Sequence, residues 1–318
     1  MHSRSIIAAF GSSCAFTFLV AGASVALEPR AFVPPTQAFT AITSEADSDE
    51  ELVEPLRLPP SGPGTTLHAP PLSYLKSVIG DPKPGEGELS VRVPVLMYHR
   101  IRPWTAKETD EERYYTVRPE AFEVQMAGIA AAGYHTITPG DLERALVQGP
   151  SALPPKPVLL TFDDGFREHY TRVLPILQQY NLQATFFVIS EANTSPAHMT
   201  DDMIREVDRS GFVTIASHTK HHWMLAKLGA SELADEVAGS KSDLEKVVGH
   251  TVSLFAYPFG SYSTAVDKAV RSAGYTSAYG IRFGSLHTPS TLFQLRRMRV
   301  QDGEDVVMML DAFSQPED

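Results

Sequence analysis

Cysteine is almost missing from this chain. The one cysteine in 318 residues, Cys14, lies in an apolar stretch near the N-terminus, so no disulfide can staple the folded part. Positive charge is also scarce. The 27 Lys and Arg against 38 Asp and Glu leave a formal charge of −11, and no cluster of basic residues offers a surface for neutralising phosphates. A nucleic-acid partner is disfavoured and not expected on that ground. No internal repeat is found, which removes solenoids and propellers. What remains is 43% hydrophobic and 20% charged, enough for one sizeable core and one or two domains.

The N-terminus reads as an export segment. His2 and Arg4 precede an apolar stretch from Ile6 to Leu27, and "SVALE" offers small residues for cleavage after Ala26. Residues 1–27 are expected to be removed as a signal, or, at about 20 apolar residues, retained as a membrane anchor. Either outcome exports the rest, to a periplasmic or extracellular location. Lipidation is not expected, because "GSSC" lacks the aliphatic residue that a lipoprotein signal places three before its cysteine. Residues 28–90 change character: "FVPPTQ", "RLPPSGPG" and "GDPKPGEGE" are rich in proline, and "EADSDEELVE" is acidic without apolar periodicity. This is the signature of an extended tether.

From Val91 the pattern becomes that of an alternating α/β domain, expected over 91–310 with a short tail at 311–318. "VRVPVLMYH" reads as a strand, and "RPEAFEVQMAGIAAAG" as an amphipathic helix that spaces Phe122, Met126 and Ile129 along one face. "TPGDLERAL" starts a helix with Thr138 as N-cap and Pro139 in its first turn. The alternation continues through the strands "PVLLTF", "ATFFVIS", "FVTIAS" and "SLFAYPF", with "ASELADEVAGSKSDLEKVVG" as a long helix between the last two. Strands that are apolar throughout and separated by helices predict a parallel sheet covered on both faces, open or closed into a barrel.

Sites on such sheets lie at the carboxyl ends of the strands. Four strands here end in polar chemistry: "MYHR", "TFDDG", "ASHTKHH" and "AYPFG". The adjacent aspartates of "TFDDG" would repel each other and raise the proton affinity of one, unless a cation sits beside them. His218 and His222, four apart, would share one face of a helical turn, the spacing that a metal needs. Together with one carboxylate they form a two-histidine, one-aspartate set with positions left for water and substrate. Taken singly, a DDG is usually a turn and an i, i+4 histidine pair a surface accident. Their joint appearance at consecutive strand ends is what carries the reading.

These motifs resemble those of the polysaccharide deacetylases with a NodB-homology domain, carbohydrate esterase family 4, over roughly Val91 to Val300. The resemblance implies a distorted, incomplete (β/α) barrel. Carried over by position, it implies Asp163 as catalytic base and Asp164, His218 and His222 as metal ligands, with His221 the nearby competitor for the last place. Ala256 in "FAYPFG" stands where the family's third motif has an arginine that holds the base. Arg297 in "QLRRMRV" is the candidate replacement, against the plain reading of a surface charge. The backbone N–H of Phe259 resembles the family's oxyanion donor. No histidine follows the last apolar stretch "VVMML", and His287 in "SLHT" sits in what reads as a polar loop. The acid is therefore expected to be His99 of "MYH", as in members with a permuted order.

The function implied is hydrolysis of N-acetyl groups on an N-acetylglucosamine-containing glycan. Zinc is the first choice of cofactor, with cobalt, nickel and iron also compatible with imidazole and carboxylate ligands. Tyr98, Trp104, Trp223 and Tyr257 are candidates for stacking on sugar, and Trp223 stands where the family often has proline. Asp110, Glu111 and Glu112 are expected in a solvated loop. Two rivals are a non-haem Fe(II) oxygenase, which has no use for a second aspartate, and a non-catalytic glycan-binding or scaffold protein, suggested by the missing motif arginine. A zincin protease is excluded because Thr219 stands where HExxH needs glutamate.

Overall fold

Apolar runs of four to six residues set the frame of this computed structural model, which describes residues 84–314. The expected export segment, Cys14 and most of the expected tether lie outside the described residues. Among the described residues no helix is long and apolar enough to cross a membrane.

Among the described residues, twelve strands follow in chain order. They begin with β1 (Val91–Arg92), β2 (Val95–Tyr98), β3 (Arg100–Ile101), β4 (Thr116–Val117), β5 (His135–Thr136) and β6 (Pro157–Phe162). They continue with β7 (Ala184–Val188), β8 (Val213–Ser217), β9 (Leu254–Ala256), β10 (Ser277–Tyr279), β11 (Leu286–His287) and β12 (Met298–Arg299). The principal sheet runs β10-β9-β8-β7-β6-β2-β12, with β5 also paired to β6, and every pairing within it is parallel. It curls into an incomplete barrel. Its edge strands do not pair with each other, but a bridge from Tyr279 to Leu295 narrows the gap between β10 and the approach to β12.

Alternation along each strand divides the core in two. Val95, Leu159, Phe187, Ala216 and Ala256 meet in an inner cluster. Their neighbours Leu96, Leu160, Phe186, Ile215 and Phe255 pack outward beneath the helices. A polar residue two positions beyond an inner-face residue therefore points into the barrel mouth.

Local signals account for several elements. Thr138 caps the helix Pro139–Gln148 in a reciprocal box with Asp141, and Pro139 occupies its first turn. The helix Pro119–Ala131 buries Phe122, Met126 and Ile129, as their spacing predicts. Other expectations need correction. "VRVPVLMYH" is two strands, because Pro94 has no N–H to continue the ladder; β1 pairs antiparallel with β11 instead. Asp110–Tyr114 is a short helix rather than a loop, since Thr109 and Glu112 form a capping box. The long helix from 230 to 248 is interrupted by a π-turn at Asp235–Gly239. The last helix, Val306–Ser314, runs past the expected boundary at 310 because Phe313 is buried.

Candidate active site

Leu159, Thr161 and Asp163 alternate along β6, so Asp163 emerges on the inner face just beyond the strand. Its backbone N–H extends the ladder by donating to Tyr98 C=O at 2.9 Å. The chain then turns sharply: Asp164 has φ 76° and Gly165 φ 71°. Aspartate tolerates the left-handed region, but at Gly165 only glycine fits. A Cβ there would come 3.0 Å from Val188 Cγ1 and 3.3 Å from Val188 Cα. The turn leaves Asp164 Oδ1 buried with no hydrogen-bond partner.

β8 supplies the imidazoles. His218 follows Ala216 on the inner face and donates its Nδ1–H to Ala256 C=O at 2.9 Å, which leaves Nε2 as the free lone pair. The helical turn expected between His218 and His222 does not form. Thr219 and His222 are both left-handed, with φ 66° and 62°, and a tight loop rather than a helix brings the two rings to a centroid separation of 4.9 Å. The loop is tied from beneath by Glu236, whose buried carboxylate accepts from the backbone N–H groups of Lys220 and His221 at 3.1 Å and 2.9 Å. His222 Nε2 lies 3.4 Å and His218 Nε2 3.5 Å from Asp164 Oδ1. One ligand atom from each of the three residues falls within 4.8 Å of the others. His221 turns away to Glu236 and is not part of this set.

The set fits a divalent cation. Burial pushes the His218 imidazole down to about 3, so it is neutral and presents a lone pair. Burial pushes the Asp164 carboxyl up to about 6, with His222 opposing and the neighbouring Asp163 reinforcing the rise. The His218 lone pair and His222 Nε2 both face an unpartnered carboxylate oxygen, an arrangement that a shared positive ion would satisfy.

Arg297 is 1% exposed, and its side chain reaches the barrel mouth past Phe187. Its Nε–H donates to Gly280 C=O at 2.9 Å. Its terminal nitrogens grip both oxygens of Asp163, at 2.6 Å and 2.8 Å. The surface-charge alternative for Arg297 is thereby removed. Burial favours a protonated Asp163, but the guanidinium, His218 and His99 outweigh it and hold the carboxyl well below the usual range. His99, just beyond β2, places Nε2 3.9 Å from Asp163 Oδ2, and His218 Nε2 lies at the same distance. Burial pushes the His99 imidazole well below its ordinary value, against the pull of Asp163.

Phe259 occupies the turn Pro258–Gly260 with φ 57°, and its ring packs edge-on against His222 at 4.5 Å. Asp164, Thr219, His222 and Phe259 are thus non-glycine residues with positive φ gathered around one site. Among the aromatic candidates, Tyr98 and Tyr257 are buried and hydrogen-bonded to Gln125 and to Phe293 C=O, so neither can meet a sugar. His287 is not in a loop: it is buried in β11 with Nε2 2.9 Å from Val93 C=O.

His169 was invisible from sequence. Its ring is fully buried and Nε2–H donates to the carbonyl of His99 at 2.6 Å, fixing the backbone that carries that imidazole. Only its place on the helix that follows β6 could have hinted at this.

Comparison with known proteins agrees with the geometry. Residues 151–278 match the family model for polysaccharide deacetylase. YxkH of Bacillus subtilis, named as a candidate polysaccharide deacetylase, is 29% identical over 218 residues, covering 68% of this chain and 74% of that one. The poly-β-1,6-N-acetyl-D-glucosamine N-deacetylase of Escherichia coli O157:H7 is 30% identical over 169 residues, which is 48% of this chain but only 24% of that protein. Among solved structures, the Streptococcus pyogenes deacetylase PplD in complex with acetate superposes with a TM-score of 0.64 at 26% identity, over 71% of this chain and 99% of that one. Motifs, barrel and relatives converge: residues 151–278 match a polysaccharide deacetylase domain in sequence, and the fold around them is that of the NodB-type deacetylases.

Proposed function

We propose that this protein is a divalent-metal-dependent hydrolase that removes N-acetyl groups from an N-acetylglucosamine-containing polysaccharide of the cell envelope or matrix. The observation that carries the reading is the fork from Arg297 to Asp163 beside the Asp164, His218 and His222 cluster. It gives one carboxylate a fixed orientation and leaves its neighbour free to act as a ligand. The same fork supplies the contact whose absence at Ala256 suggested a non-catalytic scaffold, so that rival loses its motive.

Asp164, His218 and His222 would hold the ion, with zinc the first choice for two imidazoles and a carboxylate. The chemistry that a divalent ion supplies in such a site is polarisation of a carbonyl and a lowered pKa for water. Asp163 accepts the proton of the attacking water. Arg297 keeps the proton affinity of Asp163 low, so the carboxylate passes the proton on instead of storing it. His99 is the near receiver, 3.9 Å away, and from there the proton goes to the departing amine. The N–H of Phe259 is the candidate donor to the developing oxyanion. Acetate and a free amine are the products.

The export expected from residues 1–27 suits an envelope polymer, and relatives named for peptidoglycan-N-acetylglucosamine and for poly-β-1,6-N-acetyl-D-glucosamine support that class of substrate. The test is acetate release, followed by mass spectrometry, from β-1,6-linked N-acetylglucosamine oligomers, chitin oligomers and peptidoglycan, using the purified metal-loaded chain. Asp163→Asn is expected to lower kcat by about 10²–10⁴-fold while circular dichroism is unchanged. Release of no acetate from any of these glycans would sink the reading.

A further inference from the structure

Trp223 stands on the loop that carries His222, and its indole is 46% exposed. It does not hang free. The ring lies face to face with the imidazole of His221, with centroids 4.8 Å apart and planes 20° from parallel. His221 is itself anchored: Nδ1–H donates to Glu236 Oε1 at 2.5 Å, and its backbone N–H donates to Oε2 at 2.9 Å. Lys220 N–H adds a third donor at 3.1 Å. Glu236 is 1% exposed and projects from the π-turn Asp235–Gly239. A buried carboxylate that accepts three hydrogen bonds is compensated and rigid. The imidazole seat is therefore fixed, and the indole resting on it is oriented before any ligand arrives.

The surroundings extend the surface. Phe259, 57% exposed, packs its ring on His222, the next residue along from the seat. Ala226 N–H donates to Ser261 Oγ at 2.9 Å, tying the tryptophan loop to the loop of Phe259 and Tyr262. Met224, Tyr262 and Ile281 are exposed as well. A cluster of large apolar side chains in water at the rim of a reaction centre is the informative exception to ordinary burial. Its polar edges, an imidazole among them, suit a ligand with one apolar face and a wet perimeter better than they suit lipid tails. A pyranose ring has that character, with C–H bonds on its face and hydroxyls around its edge.

We propose that Trp223, seated on the His221–Glu236 pair, is a preformed stacking platform for a sugar ring of the glycan chain next to the unit that loses its acetyl group. The identity of the ligand rests on the deacetylase reading; the rigidity of the platform does not.

The experiment compares N-acetylglucosamine tetramers with 4-nitrophenyl acetate, an ester too small to occupy the platform and the reaction centre together. Trp223→Ala is expected to lower kcat/KM for the tetramers relative to that for the ester by roughly tenfold, mainly through KM, with Trp223→Phe recovering part of the loss. A binding readout stands beside it. Trp104 and Trp223 are the two tryptophans of the chain, so Trp104→Phe in an Asp163→Asn background isolates the Trp223 fluorescence. Titration with tetramer is expected to change its intensity. If acetate is released but the ratio is unaltered and the fluorescence is flat, the platform is overturned and the deacetylase reading stands. Should Trp223→Ala instead abolish dimerisation or binding to anionic lipid vesicles while the ratio is unaltered, the surface belongs to another partner and the proposal falls. If wild type releases no acetate from any glycan, the functional reading fails, and a flat fluorescence titration would then fell the platform separately.

Discussion

Arg297 and Asp163 are 134 positions apart in the chain, yet two parallel hydrogen bonds of 2.6 Å and 2.8 Å join them at the barrel mouth. Arg297→Ala removes the guanidinium that holds this buried carboxylate and is expected to cost about 3–5 kcal/mol of stability. Arg297→Lys keeps the charge but loses the fork, and is expected to lower kcat about a hundredfold through misplacement of Asp163. Urea unfolding of Arg297→Ala, Asp163→Asn and the Arg297→Ala/Asp163→Asn double variant checks the coupling. Strict additivity of the single effects would mean that the pair does not act as a unit.

Metal removal should separate chemistry from folding. The sheet is held by its two apolar clusters, neither of which includes Asp164, His218 or His222. Dialysis against a chelator is expected to end acetate release while the melting transition remains cooperative, and added zinc or cobalt should restore it. Asp164→Asn should weaken metal binding by at least about 10–100-fold in equilibrium dialysis. Unchanged affinity would remove Asp164 from the ligand set.

Gly165 offers a test of the turn behind the proposed ligand Asp164. Gly165→Ala meets both a left-handed φ and the Val188 contact at 3.0 Å, whereas Gly211→Ala, at φ 75° with nothing within 4 Å, meets only the first. The backbone term alone is about 1–2 kcal/mol. Gly165→Ala should therefore destabilise more than Gly211→Ala, and it alone should weaken metal binding. Equal losses in denaturant titrations would show that Val188 yields without cost.

Glu304 predicts a pH slope in stability. Burial pushes its carboxyl up to about 7, although a hydrogen bond from Gln301 N–H opposes the rise. The folded state then keeps a proton that the unfolded chain releases above its ordinary pKa near 4.5. The contribution is full below that value and is lost as pH climbs toward 7. Glu304→Gln cannot ionise, so its melting temperature should gain on wild type between pH 5 and pH 8. A constant difference across that range would contradict the shift.

Much of the architecture is legible in local pattern. The mainly apolar runs of β6, β7 and β8 mark them as covered on both faces, and "TPGDLERAL" announces its own cap. The aspartates stand out because they follow such a run directly. The relation of His218 to His222 is harder: four-residue spacing suggested a helix, but the loop is shaped by left-handed Thr219 and His222 and by Glu236 from a later helix. His169 carries little local mark beyond its place after β6, since its partner is the backbone carbonyl of His99, 70 positions earlier.

By itself, the order of residues determined where the principal strands and longer helices lie and which strand ends carry carboxylate and imidazole, because propensity, capping and two-residue alternation act between near neighbours. Only the tertiary structure decided which of those groups meet: Arg297 with Asp163, Glu236 under the histidine loop, and His221 beneath Trp223. Contacts of that kind depend on how a curled sheet brings remote segments to one rim, and no short-range pattern encodes that distance.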